Sequence, residues 1–174
     1  MAITLYDATV GHFLQQLGAM EHFLGVGAKH CEANNFDVER HVEARLREDM
    51  LPLRYQVEAS IGHSLGALEG VKGGEFLPPK GTRDANYANL RTQVATAISK
   101  LKDWRPEDVD ALAARDVVFN LGPDRKMPFT GQDFLLTFSV PNFYFHVTTA
   151  YGILRAIGVP LGKKEFIGRI KLKT

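Results

Sequence analysis

From Thr4 to about Lys29, apolar side chains recur at Tyr6, Val10, Phe13, Leu17, Met20 and Leu24. Spacings of three and four place them on one face of a helix. Asn34 and Asn35 end this element, and Asp37 is a capping residue for a short helix through about Arg47. A second long helix is predicted from near Asp49, with Asp49 or Met50 as cap and Pro52 in the first turn, where the missing N–H does no harm. Its inner stripe is Leu53, Val57, Ile61, Ser64 and Leu68, and Gly70, Gly73 and Gly74 stop it. A third helix runs from about Asp84 to Asp103 on Tyr87, Leu90, Val94, Ala97, Leu101 and Trp104. The last begins around Pro141 on Phe143, Val147, Ala150, Leu154 and Ile157, with Gly158 and Pro160 as its stop signals.

The connections decide how these helices are arranged. Residues 71–85 contain Pro78-Pro79 and Gly81. At about 3.3 Å per extended residue, this stretch spans the whole length of a bundle. A hairpin between antiparallel helices needs far less. The prediction is a crossover, with the third helix parallel to the second. Val117-Val118-Phe119, the turn Gly122-Pro123-Asp124 and Lys126 to Phe129 read as a small β-hairpin before the last helix. Thr130-Gly131-Gln132-Asp133 resembles a capping box leading into Phe134 to Phe138. The expected fold class is mainly α: one four-helix-bundle domain over residues 1–174 with a β-hairpin insertion. Phe143, Tyr144, Phe145 and Tyr151 spread around more arc than one buried stripe needs. Phe145 therefore needs cover, from the hairpin or from a second subunit in a homodimer.

Composition adds exclusions. Hydrophobic residues make up 45% and charged residues 24%, ordinary values for a domain that folds without disulfides or metal. Lys and Arg number 21 against 20 Asp and Glu, a balance that argues against a nucleic-acid partner. The basic residues Lys163, Lys164 and Arg169 to Lys173 read as a solvated tail. One cysteine, Cys31, fits a reducing compartment. Neither a membrane-length apolar run nor a signal peptide is visible, so a cytoplasmic location is expected. There is no dinucleotide-binding or phosphate-binding glycine loop, and the Gly62-His63-Ser64-Leu65-Gly66 run follows a helical pattern rather than a nucleophile elbow.

Candidate chemistry sits at the edges of the apolar stripes. His146 shares one flank of the last helix with Asn142 and Thr149. Asp49, Gln56, Ser60 and His63 form a polar stripe on the second helix, and His12 and Gln16 flank the first. Counting residues from the helix ends at 1.5 Å each puts His12 and His63 about 10 Å, and His146 about 6 Å, from the same end of the bundle. One reading is a polar small-molecule pocket lined by His63, His146, Gln56, Asn142, Asp49 and Tyr151. The other is a metal held by His12, His63 and His146, since three imidazoles with an open position suit zinc.

Several runs carry a family resemblance: Pro141-Asn142-Phe143-Tyr144-Phe145-His146, Ala150 to Arg155, Gly158 to Lys163, and Arg45 to Leu53 with Gln56-Val57. Together they resemble a bacterial domain-of-unknown-function family within the DinB-like (DinB/YfiT) superfamily, across essentially the whole chain. The resemblance implies an up-down-down-up bundle, frequent dimerisation, and a divalent metal such as zinc or nickel held by three histidines. Some members transfer low-molecular-weight thiols. The usual metal pattern is one His on the second helix and His-x-x-x-His on the last. Here His146 takes the first position of that pair, and Ala150 stands where the second histidine belongs. The expectation is therefore a small-molecule binding or interaction module with an incomplete metal site and no bound cofactor. The alternative is a metal-dependent DinB-like enzyme with an altered ligand set.

Overall fold

The computed structural model describes residues 3–82 and 85–173. In chain order it contains α1 (Leu5–Ala8), α2 (Val10–Asn34), α3 (Leu53–Ile61), α4 (Ala67–Gly73), β1 (Glu75–Phe76), α5 (Tyr87–Lys102), α6 (Pro106–Asp110), β2 (Asp116–Asn120), β3 (Lys126–Thr130), α7 (Gly131–Asp133), α8 (Val140–Ala156) and α9 (Lys163–Ile167). Two π-helical segments complete the rods. Gly62–Gly66 joins α3 to α4, and Phe134–Ser139 joins α7 to α8.

Packing partners give the helix directions. Phe13 meets Phe143 at 4.8 Å and Phe23 meets Tyr151 at 6.2 Å, so α2 and α8 run parallel. Phe76 meets Phe134 at 5.1 Å while His63, earlier on its rod, meets His146, later on its own; these two rods are antiparallel. Tyr87, at the start of α5, donates its hydroxyl to Leu24 O at 2.9 Å. Ile98 and Lys102, at its end, face Tyr6 and Gly11. The bundle is thus up-down-down-up, the DinB-like arrangement, with a mainly helical fold. The predicted stripes form its core: Val10, Phe13, Leu17, Leu53, Leu68, Leu90, Leu101, Phe143 and Leu154 are fully buried.

Several boundaries differ from expectation. The first helix breaks at Thr9, whose buried hydroxyl turns back to Leu5 O at 2.6 Å; its far end falls at Asn34 with Asn35 as cap, as the sequence indicated. Asp37 caps the 3-10 turn Val38–His41 instead of a helix reaching Arg47. The second rod starts at Leu53 behind Pro52, so Asp49 caps nothing; it lies exposed 3.7 Å from Arg47. Asp84, the expected start of the third helix, lies outside the described residues. Asn86 caps α5, accepting the Asn89 N–H at 2.8 Å. The last rod is already helical from Gly131, with the Thr130 hydroxyl capping it as its sequence indicated.

The hairpin pairs β2 with β3 in the register Val117↔Phe129 and Phe119↔Met127. The crossover adds something unforeseen. Its first residues form β1, which pairs in parallel with β2 at Glu75↔Val118 and Phe76↔Phe119. The crossover then lies along α3. Thr82 N–H donates to Glu58 Oε2 at 2.8 Å, and Pro79 presses so close to Gly62 that a Cβ there would stand 2.5 Å from its ring.

Candidate functional site

Gln56 and His63 come from the descending rod and His146 from the ascending one. The two imidazole rings lie 5.7 Å apart and nearly parallel, at 13°. His63 sits in one π-helical segment; the other supplies Phe138, 5.6 Å from it. Single-turn π segments recur at functional sites because they re-aim one side chain inside a helix. On the second rod the segment coincides with a local hydrogen-bond pattern. Ser60 donates to Gln56 O and Ser64 to Ser60 O, both at 2.7 Å, a pattern of hydroxyl back-bonding that bends helices.

Hydrogen bonding fixes the chemistry of His146. The Gln56 Nε2 amide donates to Leu51 O at 2.8 Å, which leaves Oε1 as the acceptor facing His146 Nδ1, also at 2.8 Å. Nδ1 therefore carries the proton in the neutral ring, and Nε2 keeps its lone pair. His63 is buried, and its Nδ1 has no partner. Aromatic rings enclose the pair: Phe76 lies 5.4 Å from His63, while Tyr55 at 5.9 Å and Phe145 at 5.2 Å flank His146. Burial pushes the His63 pKa down to about 4, helped by the neighbouring His146. Burial does the same to His146, also to about 4. Both rings are neutral at pH 7. Tyr55 moves up, through burial and the Glu58 charge.

Of the residues selected from sequence, the fold gathers Gln56, His63 and His146. It disperses the rest. Asn142 turns its amide back to Phe138 O at 2.7 Å. Tyr151 packs between Phe23 and Phe166 on another side of α8. Asp49 stays in the exposed loop. His12 stands 3.1 Å from the Tyr144 hydroxyl. Tyr144 and His146 are two residues apart, about 200° around the helix, so His12 faces away from the pair. Tyr55, Phe76 and Phe138 escaped sequence reasoning. Tyr55 adjoins Gln56 and was within reach of it, but Phe76 arrives only through the β1–β2 pairing.

The residues do not fit a three-histidine metal site. The Ala150 methyl is fully buried where the second ligand of the pair would stand, and His12 is elsewhere. Among the described residues, no group of three or more His, Cys, Asp or Glu could hold an ion. No helix is long and apolar enough to cross a membrane among those residues.

This geometry defines a DinB-like helical bundle with a two-histidine cluster between its second and last rods. The family described as "Domain of unknown function (DUF1993)" matches residues 5–167, and the chain belongs to it. Among solved structures, the chain is similar to a DinB family member protein from Shewanella denitrificans. The two are 28% identical, the match covers 98% of this chain and 95% of that one, and the TM-score is 0.83. No curated protein matches the chain.

Proposed function

We propose that this protein is a small-molecule binding module whose site is the Gln56–His63–His146 cluster. One observation carries the reading: buried His63 and half-buried His146 form a near-parallel pair of neutral imidazoles, and the chain leaves His63 Nδ1 and His146 Nε2 without a hydrogen-bond partner. An unpaired buried polar atom costs about 1–3 kcal/mol, so a ligand that paired with His63 Nδ1 would recover that cost. Neutral rings walled by Phe76, Phe138 and Tyr55 suit a small, uncharged, partly aromatic ligand that both donates and accepts hydrogen bonds. A fragment screen by ligand-observed NMR is expected to yield binders that compete with one another and are lost in His146→Ala. Binders unaffected by that substitution would overturn the reading.

The unpaired His63 Nδ1 also gives some support to the alternative, a metal-dependent enzyme with a changed ligand set. Elemental analysis of untagged protein decides between them. About one zinc or nickel per chain, lost in His146→Ala, would favour the enzyme; the binding-module reading expects none.

Self-association belongs to the same proposal. The β-hairpin covers Phe134 and Phe138 but not Phe145, which is 57% exposed beside His146. Covering such a ring is worth roughly 1.5–3 kcal/mol before entropy. Light scattering is expected to give twice the 19.3 kDa chain mass; the chain mass alone would exclude the homodimer.

A further inference from the structure

The last rod, from Gly131 through Phe134–Ser139 to Ala156, carries no Asp, Glu, Lys or Arg between Asp133 and Arg155. Much of that stretch is core, yet one side of it faces solvent: Leu136, Thr137, Pro141, Phe145 and Thr148 are all exposed. The other long helices mark their solvent sides with charge, Glu21 and Lys29 on α2 and Arg91 and Lys100 on α5. A water-facing helix side free of charge for about 30 Å has the character of an interface core, where charged residues are depleted.

These residues form one surface. Pro141, Phe145, Thr148 and Gly152 follow helical spacings of three and four. Leu136 joins them through the π segment: at regular α spacing it would point opposite to Phe145, and the extra residue of the π turn brings it to the same side. At the far end Leu46 lies over Gly152, 3.6 Å from where a Cβ would stand, and is itself exposed. The loop charges beside it pair among themselves, Arg45 with Glu43 and Arg47 with Asp49.

The two charges that bound the surface have opposite sign and are placed symmetrically. Asp133 stands eleven residues before Tyr144, and Arg155 eleven residues after it. Asp133 uses one carboxylate oxygen to accept the Thr130 hydroxyl at 2.9 Å, and Arg155 has no ion pair among the described residues. A two-fold axis beside Tyr144-Phe145 sets a second rod antiparallel to the first, in a self-complementary contact. Asp133 then faces the partner subunit's Arg155, and this pair occurs twice. Leu136 meets Gly152 of the partner subunit, large against small. Pro141 meets the partner subunit's Thr148, and Phe145 meets the partner subunit's Phe145 at the axis. A second copy of this chain matches both the sign and the spacing of these charges by symmetry alone.

From this symmetry we infer that the homodimer forms by antiparallel pairing of the last rods, and that the second copy completes the outer wall of the histidine cluster. The inference rests on the self-association proposed above and assigns its surface. Phe145 lies 5.2 Å from its own His146 ring and is otherwise 57% exposed. Pairing of the rods pins it between that ring and the partner subunit's Phe145. The wall beside His146 is therefore fixed only when two chains meet.

Sedimentation equilibrium over a concentration series tests the pairing. Arg155→Asp sets two carboxylates opposite each other at both ends of the contact, and Asp133→Arg sets two guanidinium groups there. Each variant alone is expected to dimerise about tenfold more weakly than the wild type. An equimolar mixture of the two variants recreates both attractive pairs and should form a heterodimer at wild-type strength, a recovery that local damage to either fold could not produce. Phe145→Glu should weaken dimerisation by at least about a hundredfold while the circular dichroism of the helical bundle is retained. A wild-type dimer that neither charge reversal nor Phe145→Glu weakens, or single variants that do not recover on mixing, would overturn this inference and leave the homodimer standing. A monomeric wild type would remove the homodimer and this inference with it.

Discussion

Gly131→Ala is expected to lower the melting temperature by about 6–12 °C, the equivalent of about 3 kcal/mol in a chain of this length. Gly131 opens the last rod directly beneath the Leu112 carbonyl. A Cβ at this position would stand 2.1 Å from that oxygen and 2.8 Å from a methyl of Val71. Neither neighbour can yield easily. The oxygen is backbone, and Val71 is fully buried. The Gly131 N–H also donates to Arg115 O at 2.6 Å, tying the rod to the start of β2. Relief of the clash must therefore break that tie or shift the helix entry that carries Phe134 and Phe138. Gly73→Ala is the control, since a Cβ there meets nothing within 4 Å. Thermal unfolding of both variants checks the account; a loss of less than about 1 °C in Gly131→Ala would contradict it.

Acid is expected to destabilise the protein through the histidine pair. An unfolded histidine titrates near 6.5. In the folded chain His63 and His146 are pushed down to about 4. The pair's contribution is therefore complete above pH 6.5. It declines as pH falls from 6.5 towards 4, because the unfolded chain binds protons that the folded chain refuses, and it levels off below the folded value. For buried His63 the full loss is about 3 kcal/mol. His146 is less deeply buried, and solvent screening makes its share smaller. Replacing His63 with Phe keeps the aromatic contacts to Phe76 and Phe138 and removes the titration. Denaturant unfolding between pH 7 and 4 should show the wild type losing stability steeply and His63→Phe losing about 3 kcal/mol less. Parallel curves would mean that His63 is not held neutral by the fold.

The four long helices were legible because each carries a stripe of residues at helical spacing, apolar from Val10 to Leu24 and from Tyr87 to Leu101, and broken only by Ser64 on the second helix. The crossover was legible in the length and proline content of residues 71–85. The partnership of His63 with His146 could be approached by height alone, since helix rise is regular. Azimuth was not accessible in the same way. His12 shares that level, yet its direction depends on which flank of α8 faces α2, and it meets Tyr144 instead. Asp49 misled because a capping residue type near a helix start is common, while Pro52 defers the helix to Leu53. The π segments had no sequence signature of their own. At Gly62–Gly66 the segment coincides with serine back-bonding at Ser60 and Ser64 and with the close contact of Pro79 on Gly62. Phe76 entered the site through a parallel strand pairing of two residues, too short for any periodicity to announce.

The central claim is that His63 and His146 form one neutral imidazole site, with the proton of His146 held on Nδ1 by Gln56. Long-range nitrogen–proton NMR of the histidine side chains, followed from pH 8 to pH 4, tests it most directly. The account predicts that both rings stay neutral until the pH approaches 4, that His146 shows the Nδ1–H tautomer, and that Gln56→Ala removes this tautomer preference. Titration of either ring near 6.5, or an Nε2–H tautomer at His146 in the wild type, would contradict it.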